Sequence, residues 1–277
     1  MTAAVASLQT LSGGETVAVR GSRRLHIVAL EPRAARSGTT VFLVHGGGGR
    51  AEQWRFVVPG LLQAGHRVVA YDALGHGRSP APCDWGAYAG AEFVADLAAV
   101  VGLHRGPANL LVGHSYGTRL VLGALAQGLA GIERAVLLAP PAPDFARRPS
   151  WVAYLPVPLL ERLRPRLSAG FRAAAWGPDA PPALVDEETA MSDRNSLYVF
   201  KALWRQALQL DVAALRAVSL PVQVLAGEAD RLTPPAGAHA LAELLPNARL
   251  TLVPRAGHQL PLEAPAEVLQ AVLGTVG

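Results

Sequence analysis

Asn109-Leu110-Leu111-Val112-Gly113-His114-Ser115-Tyr116-Gly117-Thr118-Arg119-Leu120-Val121-Leu122-Gly123 is the stretch that decides how this chain is read. Asn109–Val112 is a short apolar run that suits a buried strand, and the residues from Thr118 carry apolar side chains at helical spacing. Between them, Gly113-His114-Ser115-Tyr116-Gly117 fits the pattern G-x-S-x-G. A serine on a sharp strand-to-helix turn has strained φ/ψ and a backbone passing close by, so it needs small neighbours. Such a turn lifts the hydroxyl clear of the sheet, and the helix N-terminus lends positive partial charge to a developing oxyanion. Ser115 is therefore the candidate nucleophile. The competing reading is an ordinary glycine-rich turn, and the strand–helix context weighs against it.

The pattern repeats on both sides of this unit. Thr39–Gly46, Arg67–Ala73, Arg134–Pro140, Pro221–Glu228 and Ala248–Pro254 are further apolar runs, preceded by two strand candidates around Gly21 between about Glu15 and Glu31. Helix candidates lie near 51–64, 90–103, 116–130, 235–245 and 262–274. Continuous apolar strands alternating with helices imply βαβ units, so the fold class is α/β, a mostly parallel, doubly wound sheet of about eight strands. The alternation breaks once. Residues 141–218 contain no clear buried strand, many prolines and three of the five tryptophans. They are expected to form an inserted helical cap, with 1–140 and 219–277 as the core.

The 277 residues are 51% apolar and 17% charged, which argues against disorder. The net charge of +4 comes almost wholly from arginine, Lys201 being the only lysine. No basic run alternates with stacking aromatics, so nucleic acid is not an expected partner. Arg147, Arg148, Arg162, Arg164, Arg166 and Arg172 face Glu161 alone, and five acids follow from Asp179 to Asp193; these read as solvated cap faces. Cys83 is the only cysteine, which excludes an internal disulfide and suits a reducing compartment. With no signal-like leader and no 18-residue apolar run, the expectation is a cytoplasmic protein without a membrane segment, monomer or homodimer.

His45-Gly46-Gly47-Gly48-Gly49 directly follows Val41–Val44. Four glycines let backbone N–H groups approach a ligand unhindered. The role that suits them is an oxyanion hole, with Gly47 as one donor and Tyr116, the residue after the serine, as the other. Gly48 competes with Gly47. A phosphate loop is disfavoured, because the run lacks the G-K-[ST] ending. His45 is expected behind the loop rather than in the chemistry.

Taken together, these segments resemble the α/β-hydrolase superfamily, in the branch with H-G-x-x-G and a serine nucleophile. The resemblance covers nearly all of the chain outside the cap. It runs through His45-Gly46 with Trp54, Asp72-Ala73-Leu74-Gly75-His76-Gly77-Arg78-Ser79, Gly113–Gly117, Gly227-Glu228-Ala229-Asp230 and Gly257-His258. It implies an α/β-hydrolase fold, in which Asp72, His76 and Arg78 belong to the scaffold. The family order of nucleophile, acid and base makes Asp230 the acid and His258 the base. Glu228 and Asp144 stay open as alternative acids. Of the other histidines, His26, His66, His104 and His239 lack a matching context. His114 is set aside because neighbouring strand residues face opposite sides.

The resemblance implies hydrolysis of a carboxylic ester, thioester or lactone through an acyl-enzyme, with no cofactor. The sequence offers no metal cluster either. The expected partner is a small, largely apolar acyl substrate, free or carrier-bound. Trp151, Tyr154, Trp176, Tyr198 and Trp204 are candidates for its pocket, each against the simpler reading of cap-to-core packing. The alternatives are C–C bond hydrolysis of a diketone and a non-catalytic ligand-binding protein. Epoxide hydrolase and haloalkane dehalogenase chemistry is disfavoured, since those relatives attack with a carboxylate where this chain has Ser115.

Overall fold

The computed structural model describes residues 11–33, 37–144 and 151–274, the side chain of Trp151 excepted; Arg147 and Arg148 lie outside this set. Eight strands form one sheet: β1 (Glu15–Arg20), β2 (Arg23–Leu30), β3 (Thr39–Val44), β4 (Arg67–Asp72), β5 (Ala108–His114), β6 (Arg134–Leu138), β7 (Val222–Gly227) and β8 (Ala248–Val253). Their order is β1-β2-β4-β3-β5-β6-β7-β8. β2 runs antiparallel to both β1 and β4, and the pairs from β4 to β8 are parallel. The α/β sheet expected from the apolar runs is the one observed.

The helices are α1 (Val58–Gln63), α2 (Gly90–His104), α3 (Tyr116–Ala126), α4 (Val157–Ala175), α5 (Pro182–Ser192), α6 (Leu197–Arg205), α7 (Val212–Arg216), α8 (Pro235–Leu244), α9 (Leu260–Glu263) and α10 (Pro265–Leu273). Alternation along the parallel strands supplies both faces with apolar side chains. Phe42, Val44, Leu111 and Leu137 pack with α2, α3 and α8. Val41, Leu43, Val112 and Leu138 pack with α1 and α10.

Two expected helices are shorter than their apolar spacing suggests, and proline is the reason. The stretch near 51–64 divides into a 3-10 turn, Ala51–Trp54, and α1, which carries Pro59 in its first turn. The last helix divides at Ala264, ahead of Pro265, because a residue before proline is pushed out of the helical region.

All of α4 to α7, with a 3-10 turn at Trp151–Tyr154, falls between β6 and β7. Ala175, Trp176 and Val185 of this stretch pack against Leu262 and Phe56. Arg119 of α3, 1% exposed, ties both ends of the stretch down: it donates to the carbonyls of Ala142 (3.1 Å) and Leu208 (2.7 Å).

Candidate active site

Ser115 joins β5 to α3 with φ 51° and ψ −119°, a left-handed conformation uncommon for a residue with a Cβ. Its N–H donates to the Leu138 carbonyl at 2.8 Å, which anchors the turn to β6. The flanking glycines are required by contact. A Cβ on Gly113 would stand 2.8 Å from the Gly117 carbonyl oxygen, and one on Gly117 would stand 2.4 Å from that of Val44. The G-x-S-x-G spacing is therefore a packing demand of the turn.

The glycine run after β3 lies across this turn. A Cβ on Gly47 would sit 3.9 Å from the Tyr116 Cβ, so the Gly47 backbone runs beside the start of α3. The first N–H groups of a helix have no intrahelical partner, and this places Gly47 and the N-terminus of α3 at one edge. Gly48 has φ 79°, and its carbonyl accepts from Asn195 Nδ2 at 2.7 Å. His45 is buried behind the run. Its Nδ1 donates to the Gly46 carbonyl (2.7 Å), and its Nε2 accepts from the Ala73 N–H (2.9 Å). Burial lowers its pKa to about 4, so it stays neutral. Asp72 accepts the N–H groups of Ala51 and Arg78, both at 2.8 Å. These residues hold loops together.

Asp230 and His258 enter from the carboxyl ends of β7 and β8. His258 Nδ1 lies 2.8 Å from Asp230 Oδ2, with both side chains buried. Asp230 Oδ1 accepts the N–H groups of Leu232 and Thr233 at 2.8 Å, and Oδ2 accepts the Thr233 hydroxyl at 2.7 Å. Burial alone would raise the carboxyl pKa. The His258 bond and charge and the Thr233 donors outweigh it and hold the group below its ordinary value. Glu228 and Asp144 are exposed, so among the three candidate acids Asp230 is the one against His258.

His114 requires a correction. Strand alternation sets it aside, yet it lies beside His258, ring centroids 4.9 Å apart. Its Nε2 bonds the His258 carbonyl at 2.8 Å, and Gln53 Nε2 lies 2.6 Å from its Nδ1. A carbonyl only accepts, so Nε2 carries the proton and Nδ1 accepts from the Gln53 amide. Burial, with the neighbouring His258, lowers the His114 pKa to about 3 and fixes this neutral tautomer. His114 meets His258 because it ends its strand, where the loop carrying His258 folds over. Sequence reasoning also misses Gln53 and Thr233. The signal for Thr233 is the Asp230-x-x-Thr233 spacing, which suits an Asx-type turn.

Ser115 and His258 border one cavity of about 170 Å³. Trp176, Trp204, Phe171, Phe200 and Leu203 line its apolar side. Two aromatics expected there lie elsewhere. Tyr198 packs edge-on against Trp85 and Tyr88, on the side of α6 that meets the core. Tyr154 is 58% exposed and sits under the Arg205 guanidinium. The Trp151 side chain lies outside the described residues. Among the described residues, no helix is long and apolar enough to cross a membrane.

Residues 41–271 match the model of a family described as the alpha/beta hydrolase family. Protein ABHD8 of Bos taurus is 27% identical over 273 residues, covering 93% of this chain and 61% of its own length. The chain thus spans about three fifths of that relative. The putative carbamate hydrolase RutD of Variovorax paradoxus is 32% identical over 239 residues, covering 82% of this chain and 88% of its own. Among solved structures, an esterase from Exiguobacterium antarcticum superposes with a TM-score of 0.82 at 19% identity, covering 95% of this chain and 99% of its own. At that identity the likeness concerns the fold.

Proposed function

The chain belongs to the alpha/beta hydrolase family, and from that premise we propose that it is a serine hydrolase that cleaves a carboxylic ester through an acyl-enzyme. Ser115 is the nucleophile, His258 the general base and Asp230 its orienting acid. The observation that carries this reading is the buried His258–Asp230 bond of 2.8 Å beside a strained serine on the same cavity.

The steps follow from the groups. With Nδ1 turned to Asp230, Nε2 of His258 takes the Ser115 proton as Oγ attacks the ester carbonyl carbon. The carbonyl oxygen becomes an oxyanion, met by the N–H groups of Gly47 and Tyr116. Collapse breaks the bond to the alkoxide, which leaves as an alcohol with the proton from His258. Water then repeats the sequence: His258 takes its proton, the hydroxide oxygen bonds the acyl carbon, and Ser115 Oγ leaves with that proton. Asp230 stays ionised throughout and stabilises the imidazolium. In this reading residues 141–218 act as a lid over the carboxyl ends of the strands and select the substrate.

A carbamate presents the same carbonyl, and the relation to RutD makes it a second substrate class to test. The wild-type protein should gain one fluorophosphonate adduct on Ser115, read by intact mass. Ser115→Ala should lose the adduct and roughly a million-fold in kcat on aryl esters. An unlabelled wild-type protein, or an active Ser115→Ala, overturns the proposal. Phenyl carbamates turned over faster than matched phenyl esters would replace the substrate class.

A further inference from the structure

A second cavity adjoins the one at Ser115 and is larger, about 340 Å³ against about 170 Å³. The two share a wall that includes Gly47, Gly48, Phe171, Phe200, Trp204 and Leu232, with Thr189 and Ser192 as its polar members. Gly47 is the oxyanion donor of the proposed mechanism, so the second cavity opens at the carbonyl-binding edge. Its far side is lined by Val152, Ala153, Leu160, Leu167 and Leu197, from the 3-10 turn, α4 and α6.

Arg164, Ser168, Thr189, Asn195 and Lys201 on its border are turned to protein partners, and Ser192 and Asp193 complete the polar part of the lining. Arg164 bonds Glu161 and the carbonyls of Asp193 and Asn195. Ser168 donates to Asp193, and Thr189 Oγ1 donates to the Val185 carbonyl at 2.6 Å. Lys201 Nζ donates to the Leu155 carbonyl at 2.6 Å, and Asn195 is spent on Gly48. A polar ligand group entering here would lose its water without a matching partner, which is costly, while methylenes lose nothing. The first cavity carries more polar groups in its lining, among them Arg50, Gln53, Glu188 and Gln259 beside Ser115 and His258 themselves.

We propose that the acyl chain of the substrate passes from Ser115 between Gly47 and the Phe171–Phe200–Trp204 wall into this second cavity. The polar alcohol stays in the first. The substrate class is then an ester of an unbranched medium- or long-chain fatty acid with a polar alcohol. This rests on the hydrolase reading above.

The test measures kcat/KM for p-nitrophenyl acetate, butyrate, octanoate and dodecanoate with the wild-type protein, Ala153→Trp and Leu167→Trp. Each methylene drawn from water into the cavity should raise kcat/KM about fourfold, or about 0.8 kcal/mol, until the cavity is full. Either tryptophan should cut the octanoate-to-acetate ratio by at least about a hundredfold. A ratio that survives both substitutions in folded protein, or a wild type that prefers acetate, overturns the proposal. Melting temperature is the folding control. A second readout avoids turnover: decanoate should raise the melting temperature of Ser115→Ala, and Ala153→Trp should remove that rise. If decanoate binds this way but wild type takes no fluorophosphonate, the hydrolase reading fails and the acyl cavity stands. If decanoate has no effect while the adduct forms normally, the acyl cavity fails and the hydrolase reading stands.

Discussion

His258 is held by three neighbours, and each does something different. Asp230 Oδ2 accepts from its Nδ1, the Thr233 hydroxyl donates to that same oxygen, and His114 Nε2 donates to its main-chain carbonyl. Asp230→Asn should leave the fold intact and lower kcat by about ten-thousandfold, because an amide can turn an N–H to Nδ1 and select the wrong tautomer. Steady-state kinetics with a short aryl ester checks this, and a loss under tenfold would remove Asp230 from the proposed triad. Gln53→Leu removes the donor to His114 Nδ1 and leaves a buried acceptor unmet, at about 1–3 kcal/mol. The expected sign is a lower melting temperature and a lower kcat with KM little changed; a purely structural role would lower stability alone. Ser115 stood out in sequence by its local spacing between a strand and a helix, and Asp230 and His258 by the family order that the resemblance implies. Gln53 did not, since its contact with His114 joins a turn after β3 to the end of β5 and leaves no spacing to detect.

The helices between β6 and β7 are anchored to the sheet layers by charge as well as by packing. Arg55, 3% exposed just after the 3-10 turn, lies 2.6 Å from Glu188 of α5. Taking this pair out of water is costly, and breaking it is costlier than replacing it. Glu188→Gln should destabilise the protein by about 3 kcal/mol, whereas Arg55→Met with Glu188→Leu should come within about 1 kcal/mol of wild type. Urea unfolding of the two variants decides the point, and equal losses would refute it. This contact was invisible in sequence, because 133 positions separate its members. The helices themselves were only partly legible. α6 showed its spacing, but α4 carries Pro158 at its start and Pro165 inside, residues that read as loop. Its Val157–Ala175 span persists with only Leu160 and Ala175 buried, because leucine, arginine and alanine, all strong helix formers, fill most of it.

Across the whole molecule, three buried imidazoles set an acid limit. Burial lowers His45 to about 4, and His76 and His114 to about 3. The unfolded chain takes up these protons near pH 6.5 while the folded one refuses them. Stability is therefore complete above about 6.5 and is lost as pH falls toward 4 and then 3. At pH 5 the loss is about 2 kcal/mol for each histidine, or about 6 together. Asp72, Glu188 and Glu263, raised chiefly by burial, act in the opposite sense but nearer the carboxylate range. Urea midpoints at pH 7.5 and 5.5 should differ accordingly; a flat profile would exclude the account. The strands of the sheet that buries these groups were legible, six as apolar runs and two as candidates around Gly21, while their order β1-β2-β4-β3-β5-β6-β7-β8 was not. The sites of the imidazoles were not, since burial depends on how loops fold over strand ends.

The sheet order has one more consequence. β6 and β7 are direct neighbours, with Ala135 level with Val222. The chain leaves the sheet at one strand and returns at the next, so the excursion between them is a parenthesis in the fold. Its contents can be traded for those of another chain without breaking the β6–β7 pairing, provided the graft keeps carbonyls where Ala142 and Leu208 offer them to Arg119 and where Ala175 accepts the His258 N–H at 2.8 Å. On the proposed function, a chimera that swaps the parenthesis and keeps those three anchors should keep the reaction while changing what is accepted.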